Sequence, residues 1–302
     1  MYTSVLNKNS KDYLQENTGH YLCKWNYTTC AAPVVQYAGL GDGNGVLVAG
    51  QPLGIIFPGP NGEMYPSTMH IVTACTTTVM IPQIEGAIPL TDAGATAVGY
   101  NVQLDGETTD NSGMQWSPGS GVQGSNANKF TVGTHTGHID VTFWTQDWTD
   151  YDCVVVGFRK EEAFQAGHNA ILAAGSADDG VYTDFCAIGA MTDTDIRTMT
   201  DLNNSGTSTV TDVGVVPVDN DNMRVRIKLN SGGTVSYGHV NNAEAGAGTL
   251  AEPGSAAAYT FDDGDTLIPY IATLKNAAAD IELLIKDIEI YREPSIDYAT
   301  QV

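Results

Sequence analysis

YTFDDGDTLIPYIATLKNAAADIELLIKDIEIYR, residues 259–292, decides the fold class. An Asp-Asp-Gly-Asp turn at 262–265 introduces an apolar run over 266–274, and a small-residue link at 276–280 leads into a second run over 281–291. Turn residues followed by β-branched and apolar runs of this length predict two strands. The second run changes phase. Ile281, Leu283 and Ile285 share one face, but beyond them the apolar phase moves to Leu284, Ile288 and Ile290. A slip of one residue sends every later side chain to the opposite face. Either 281–285 is buried on both faces, or a bulge sits near Lys286-Asp287. This closing strand must also pair with an early one, for which VGYNVQL (98–104) is the candidate.

Working outward, MRVRIKL (223–229) alternates strictly, with Met223, Val225, Ile227 and Leu229 inward and Arg224, Arg226 and Lys228 outward. Ser231-Gly232-Gly233 then turns into TVSYGHV (234–240), which predicts a hairpin. IDVTFW (139–144) places Ile139, Val141 and Phe143 on one face. DCVVVGF (152–158) is apolar on both, as in a central, fully covered strand, and VYTDFCAIG (181–189) reads as a further strand. Nothing alternates as βαβ. The class is all-β, an antiparallel sandwich.

The first 92 residues look different. Residues 1–26 are polar and aperiodic, as in an arm that orders against a neighbour. VLVAG (46–50), LGIIF (53–57) and HIVTACTTTVMI (70–81) read as strands, with Asn61-Gly62 as a hairpin turn. IPQIEGAIPL (81–90) carries two prolines and reads as an edge or connector. The small, polar TDAGA (91–95) suggests a boundary, giving an anchoring region over 1–92 and a sandwich over 93–302. Residues 105–129, rich in Gly, Ser and Asn, read as a long loop, and 161–174 as a short helix or loop.

The 302 residues carry 35 acidic and 13 basic side chains, a net charge of −22. Such a surface repels phosphate backbones and anionic lipid, so neither nucleic acid nor membrane is an expected partner. No basic-then-apolar leader and no apolar run of spanning length is present, so synthesis in a cytoplasm is expected. Five irregularly spaced cysteines do not form a disulfide framework; only Cys23 and Cys30, bracketing CKWNYTTC, stand close enough in sequence to suggest a pair.

Chemistry is sparse. The E-x-D-x-x-E pattern of sandwich glucanases, nucleophile motifs and phosphate loops are absent, and Glu282, Glu289 and Glu293 do not replace them. The chain therefore reads as a non-enzyme with no cofactor. His135 and His138 (HTGH) are spaced to face opposite sides of a strand and read as a polar loop rather than a metal site. Asp219 and Asp221, or Asp262, Asp263 and Asp265, offer oxygen ligands for calcium, but neither group matches the calcium-loop pattern. Trp116, Trp144 and Trp148, with Tyr151, are either core residues or platforms for sugar rings, Trp116 and Trp148 being the candidate contacts. The stripe Arg224, Arg226 and Lys228 either pairs with cross-strand acids or meets an acidic partner.

GVYTDFCAIG (180–189), the 223–240 hairpin, FDDGDTLIPYI (261–271) and IELLIKDIEIYRE (281–293) together resemble the concanavalin-like jelly-roll sandwiches of tailed bacteriophage virion proteins, notably of marine phages. The resemblance spans about residues 98–291; residues 1–92 match nothing in it. It implies a virion component at the capsid surface, made in the host cytoplasm. The first role implied is a capsid decoration (cement) protein that binds the major capsid protein or other virion proteins as a homo-oligomer, commonly a trimer. The alternative role is a fibre or spike module that binds host surface glycans.

Overall fold

A computed structural model describes residues 21–26, 29–30, 34–36, 52–61, 64–71, 90–92, 95–97, 100–101, 113–118, 129–162, 182–191, 195–202, 209–241, 248–256, 258–275 and 283–295. In chain order the early strands are β1 (Tyr21–Asn26), β2 (Val34–Gln36), β3 (Pro52–Pro58), β4 (Met64–Ile71), β5 (Leu90–Asp92), β6 (Ala95–Ala97), β7 (Tyr100–Asn101), β8 (Gly113–Pro118) and β9 (Phe130–Thr131). They are followed by β10 (His135–Thr145), β11 (Tyr151–Lys160), β12 (Phe185–Met191), β13 (Asp195–Asp201), β14 (Thr209–Asp212), β15 (Asp221–Leu229), β16 (Val235–Asn241), β17 (Thr266–Lys275) and β18 (Leu283–Pro294). Among the described residues no helix is long and apolar enough to cross a membrane.

Among the described residues all pairings are antiparallel, and the expected sandwich is the architecture found. The smaller sheet runs β1-β18-β10-β15-β16, with β7 also on β18. The larger runs β14-β13-β12-β11-β17-β8-β4-β3-β2, with β9 on β17. Ile139, Val141 and Phe143 of β10 and Met223, Val225, Ile227 and Leu229 of β15 meet Val154, Val156 and Phe158 of β11 in one core between the sheets. DCVVVGF lies between β12 and β17, and its other face, with Cys153 and Val155, joins a second apolar cluster with Phe185, Tyr270 and Leu274. Buried side chains of this size each contribute about 1.5–3 kcal/mol.

The closing strand shows both features its phase implies. Leu283, Leu284 and Ile285 are all buried. Thr142 of β10 then pairs with Asp287 while Phe143 pairs with Ile285, so Lys286 is the extra residue of a bulge. After it, Ile288 and Ile290 return to the core. One of its partners is the stretch expected: β7, within VGYNVQL, pairs Tyr100 and Asn101 with Ile285 and Leu284, beside the longer ladders to β1 and β10.

Leu90–Asp92 pairs antiparallel with Ala95–Ala97. β1 pairs with β18, and β4 with β8. Two readings are corrected. The predicted 105–129 loop contains β8, which lies between β17 and β4, since Gly and Ser flanks hide its short alternation. HTGH opens β10 instead of forming a loop. The readings at 46–50 and 163–174, and that for 70–81 beyond Ile71, fall outside the described residues.

Deleting Lys286 would remove the bulge and leave strict alternation, with Ile285, Ile288 and Ile290 inward and Asp287 and Glu289 outward. The deletion variant is expected to keep its cooperative urea transition, whereas Ile288→Asp, which places a charge on the core face, loses it.

Candidate functional site

A connected set of polar side chains lies on the outer face of the smaller sheet. Strict alternation sends the apolar side chains of β10, β15 and β18 inward, so the intervening residues line the other face. Register sets them in rows. Leu22, Tyr291, His138, Lys228 and Ser236 form one; Lys24, Glu289, Asp140, Arg226 and Gly238 the next; Asn26, Asp287, Thr142, Arg224 and Val240 the third.

Asp140, 1% exposed, is the hub. Arg224 donates from Nε to its Oδ1 at 2.9 Å and from Nη2 to its Oδ2 at 2.8 Å. Arg226 donates from Nε to the same Oδ2 at 2.7 Å, with Nη2 at 2.5 Å. The first arginine also donates from Nη1 to the Gly248 carbonyl at 3.1 Å. Its hydrogen bonds to Asp140 raise its pKa further above the ordinary guanidinium value. Forked guanidinium donors suit a carboxylate, so one anion orients two cations.

Beside this hub, Glu289 binds His138 Nε2 through Oε1 at 2.9 Å and Lys24 Nζ through Oε2 at 3.0 Å. The His138 bond is the main reason its carboxyl is held down to about 2. Asp287 accepts from Asn26 Nδ2 at 2.9 Å, yet burial pushes its carboxyl up to about 6. Tyr291 donates to Glu293 at 2.7 Å, and its ring lies 5.7 Å from that of His138 at a 38° tilt. Gly137 is required here: a Cβ would sit 1.9 Å from the Tyr291 carbonyl oxygen.

Of the residues singled out in the sequence, Arg224, Arg226 and Lys228 belong to this face. The first two pair with Asp140, the cross-strand acid, while Lys228 is exposed. Trp116 and Trp148 do not belong to it. Both are buried to 1% within the inter-sheet core, so neither presents a platform; Trp148 Nε1 donates to the Val218 carbonyl at 2.9 Å. His135 and His138 are separated, the former accepting from the Thr131 backbone N–H through Nδ1 at 2.8 Å. Asp219 accepts from the Trp148 backbone N–H at 3.0 Å, Asp221 from that of Asn222 at 2.7 Å, and Asp265 faces Lys160 Nζ at 2.8 Å. Asp262 and Asp263 are exposed in their turn. Among the described residues no group of three His, Cys, Asp or Glu is placed to hold a metal ion. Cys23 and Cys30 are not joined to each other in a disulfide.

Sequence reasoning missed His138, Asp140, Asp287, Glu289 and Tyr291 as one set. The signal was present in the polar phase of HIDVT and of DIEIYRE, but joining the two needs the β10–β18 register.

No protein-family description and no curated protein matches the chain. Solved structures do. Arcelin-5, a lectin-like defence protein from Phaseolus vulgaris, aligns over 91% of this chain and 99% of its own, with 7% identity and a TM-score of 0.44. Lectin II from Ulex europaeus aligns over 90% and 98%, with 7% identity and a TM-score of 0.43. The metal-free exoplasmic/lumenal domain of VIP36 aligns over 86% and 100%, with 8% identity and a TM-score of 0.44. At these scores the alignments carry no argument, and the fold rests on the strand pairing above. None of the three is a phage protein.

Two outcomes follow from the geometry. Asp140→Ala leaves two guanidinium groups without their anion and is expected to cost about 3–5 kcal/mol in urea unfolding. The acids also predict a pH profile. Asp287 holds its proton more tightly folded than unfolded, with values of about 6 against 3.8, so stability falls as pH rises through that window. Glu289 is the reverse: its contribution is complete above 4.5 and is lost as pH falls toward about 2. In unfolding midpoints measured against pH, Asp287→Asn should remove the first slope and Glu289→Gln the second.

Proposed function

We propose that this protein is a non-catalytic glycan-binding β-sandwich whose contact surface is the outer face of the smaller sheet. One observation carries the reading: the His138–Tyr291 ring pair lies on a sheet face whose flanking groups are already held by mutual hydrogen bonds. Saccharides bind through ring faces combined with directional donors and acceptors, and a surface fixed before binding loses little entropy on contact. Glu289, Glu293, Arg226 and Lys228 provide acceptors and donors around the rings. Trp116 and Trp148 have no part in the proposal.

A second reading, the capsid-surface protein implied by the phage resemblance, keeps the support of the sequence motifs that carry it. The net charge of −22 also suits docking on a basic partner surface. The two readings are compatible, since a glycan-binding module fits a fibre or spike as well.

The first is tested on a glycan array with the parent chain and Tyr291→Ala. Binding to a defined set of glycans, weakened about tenfold by the substitution at unchanged thermal stability, supports it. Absence of any binding, or binding indifferent to Tyr291→Ala, refutes it. The second predicts that the protein cosediments with assembled phage particles.

A further inference from the structure

Lys24, Arg224, Arg226, Lys228 and Lys286 are five of the thirteen Lys and Arg in a chain of net charge −22, and all lie on the candidate face. Their acids are not spread evenly among them. Asp140 lies buried beneath the two arginines, while Glu289 serves the β1 side through Lys24 and His138. The β15–β16 side is different. Lys228 has His138 and Ser236 as lateral neighbours and Arg226 and Asn230 two residues away along the strand, none of them acidic. Ser236 Oγ accepts from Asn230 Nδ2 at 3.4 Å. Among the described residues Lys228 forms no ion pair. Arg226 directs Nε and Nη2 to Asp140, which leaves Nη1 without a partner among the described residues, and its side chain is 30% exposed.

This corner therefore presents an oriented guanidinium edge and an ammonium, side by side, on a protein that otherwise repels anions. A cation held in place by a buried carboxylate loses little rotamer freedom when it takes a ligand. We propose that Arg226 and Lys228 recognise an anionic substituent, carboxylate or sulfate, on an acidic glycan. The corner thus makes the face selective for charged over neutral saccharides. The inference rests on the glycan-binding reading and adds the ligand's class to it. The long-range field opposes such a ligand, so its capture has to come from these short-range contacts.

The experiment measures binding of the full chain to polygalacturonate, dextran sulfate and neutral dextran. It compares the parent with Lys228→Gln and with Lys24→Gln, a cation on the far edge of the same face. Tighter binding of one or both acidic polymers than of dextran is expected. Lys228→Gln should weaken it about tenfold and Lys24→Gln less than twofold. Polygalacturonate alone marks a carboxylate ligand, dextran sulfate alone a sulfated one. Equal binding of dextran, or equal loss from both substitutions, overturns the inference while the glycan reading stands. Failure of all three polymers, with no binding on the array, removes both. Because Lys228 is exposed and unpaired among the described residues, its substitution does not confound binding with folding.

Discussion

The bulge at Lys286 determines which side of the closing strand meets the core. Before it, Leu283 and Ile285 point between the sheets; after it, Ile288 and Ile290 do. Unbroken alternation from Ile285 would direct Asp287, Glu289 and Tyr291 inward, where charged groups cost several kcal/mol each. The extra residue places Lys286 and Asp287 on the outer side, where Lys286 covers the Trp144 ring at 5.8 Å. A single backbone irregularity thus reconciles a continuous apolar core with a polar outer face. The strand carrying it pairs with β1, β7 and β10, so the smaller sheet is assembled around this one register.

Asp140 performs a related task in the lateral direction. Its neighbours across the sheet are Glu289 on one side and Arg226 on the other. Two acids directly opposite destabilise a ladder, and two adjacent cations do so as well. Tying Asp140 to Arg224 and Arg226, and Glu289 to His138 and Lys24, separates the charges into two compensated groups. A buried ion cluster of this kind adds little net stability over an apolar equivalent. Its physical effect is to fix side-chain positions on a face whose backbone is already rigid, which is the property a recognition surface needs.

Much of the fold was legible because period-2 alternation is unambiguous where one face is buried. Met223 to Leu229 is the clearest instance, and the phase break in Ile281 to Ile290 even marked its bulge. β8 was not legible: a six-residue strand flanked by Gly, Ser and Asn carries too little pattern to outweigh its surroundings. The tryptophans illustrate a different limit. Trp116 and Trp148 reach the core through neighbours distant in sequence, and composition alone cannot separate a core indole from a platform. The candidate face failed for the same reason. Asp140 and Glu289 are 149 positions apart, and only register makes them partners.

The position of β1 bears on how far the face depends on the N-terminal region. The Lys24–Glu289 pair is half exposed on the lysine side, and exposed pairs contribute less than about 1 kcal/mol. Asn26 adds one hydrogen bond to Asp287. These contacts are too weak to dock a strand. Docking comes instead from the six-residue ladder and from Cys23 and Trp25, both buried in the inter-sheet core, with Trp25 meeting Phe57 edge-on at 5.7 Å. The apolar contacts both supply the energy and set the register. Slipping β1 by one residue would expose Trp25 and bury Lys24, so the core dictates that Lys24 reaches Glu289. β1 therefore contributes to the candidate face as a strand of the sandwich itself.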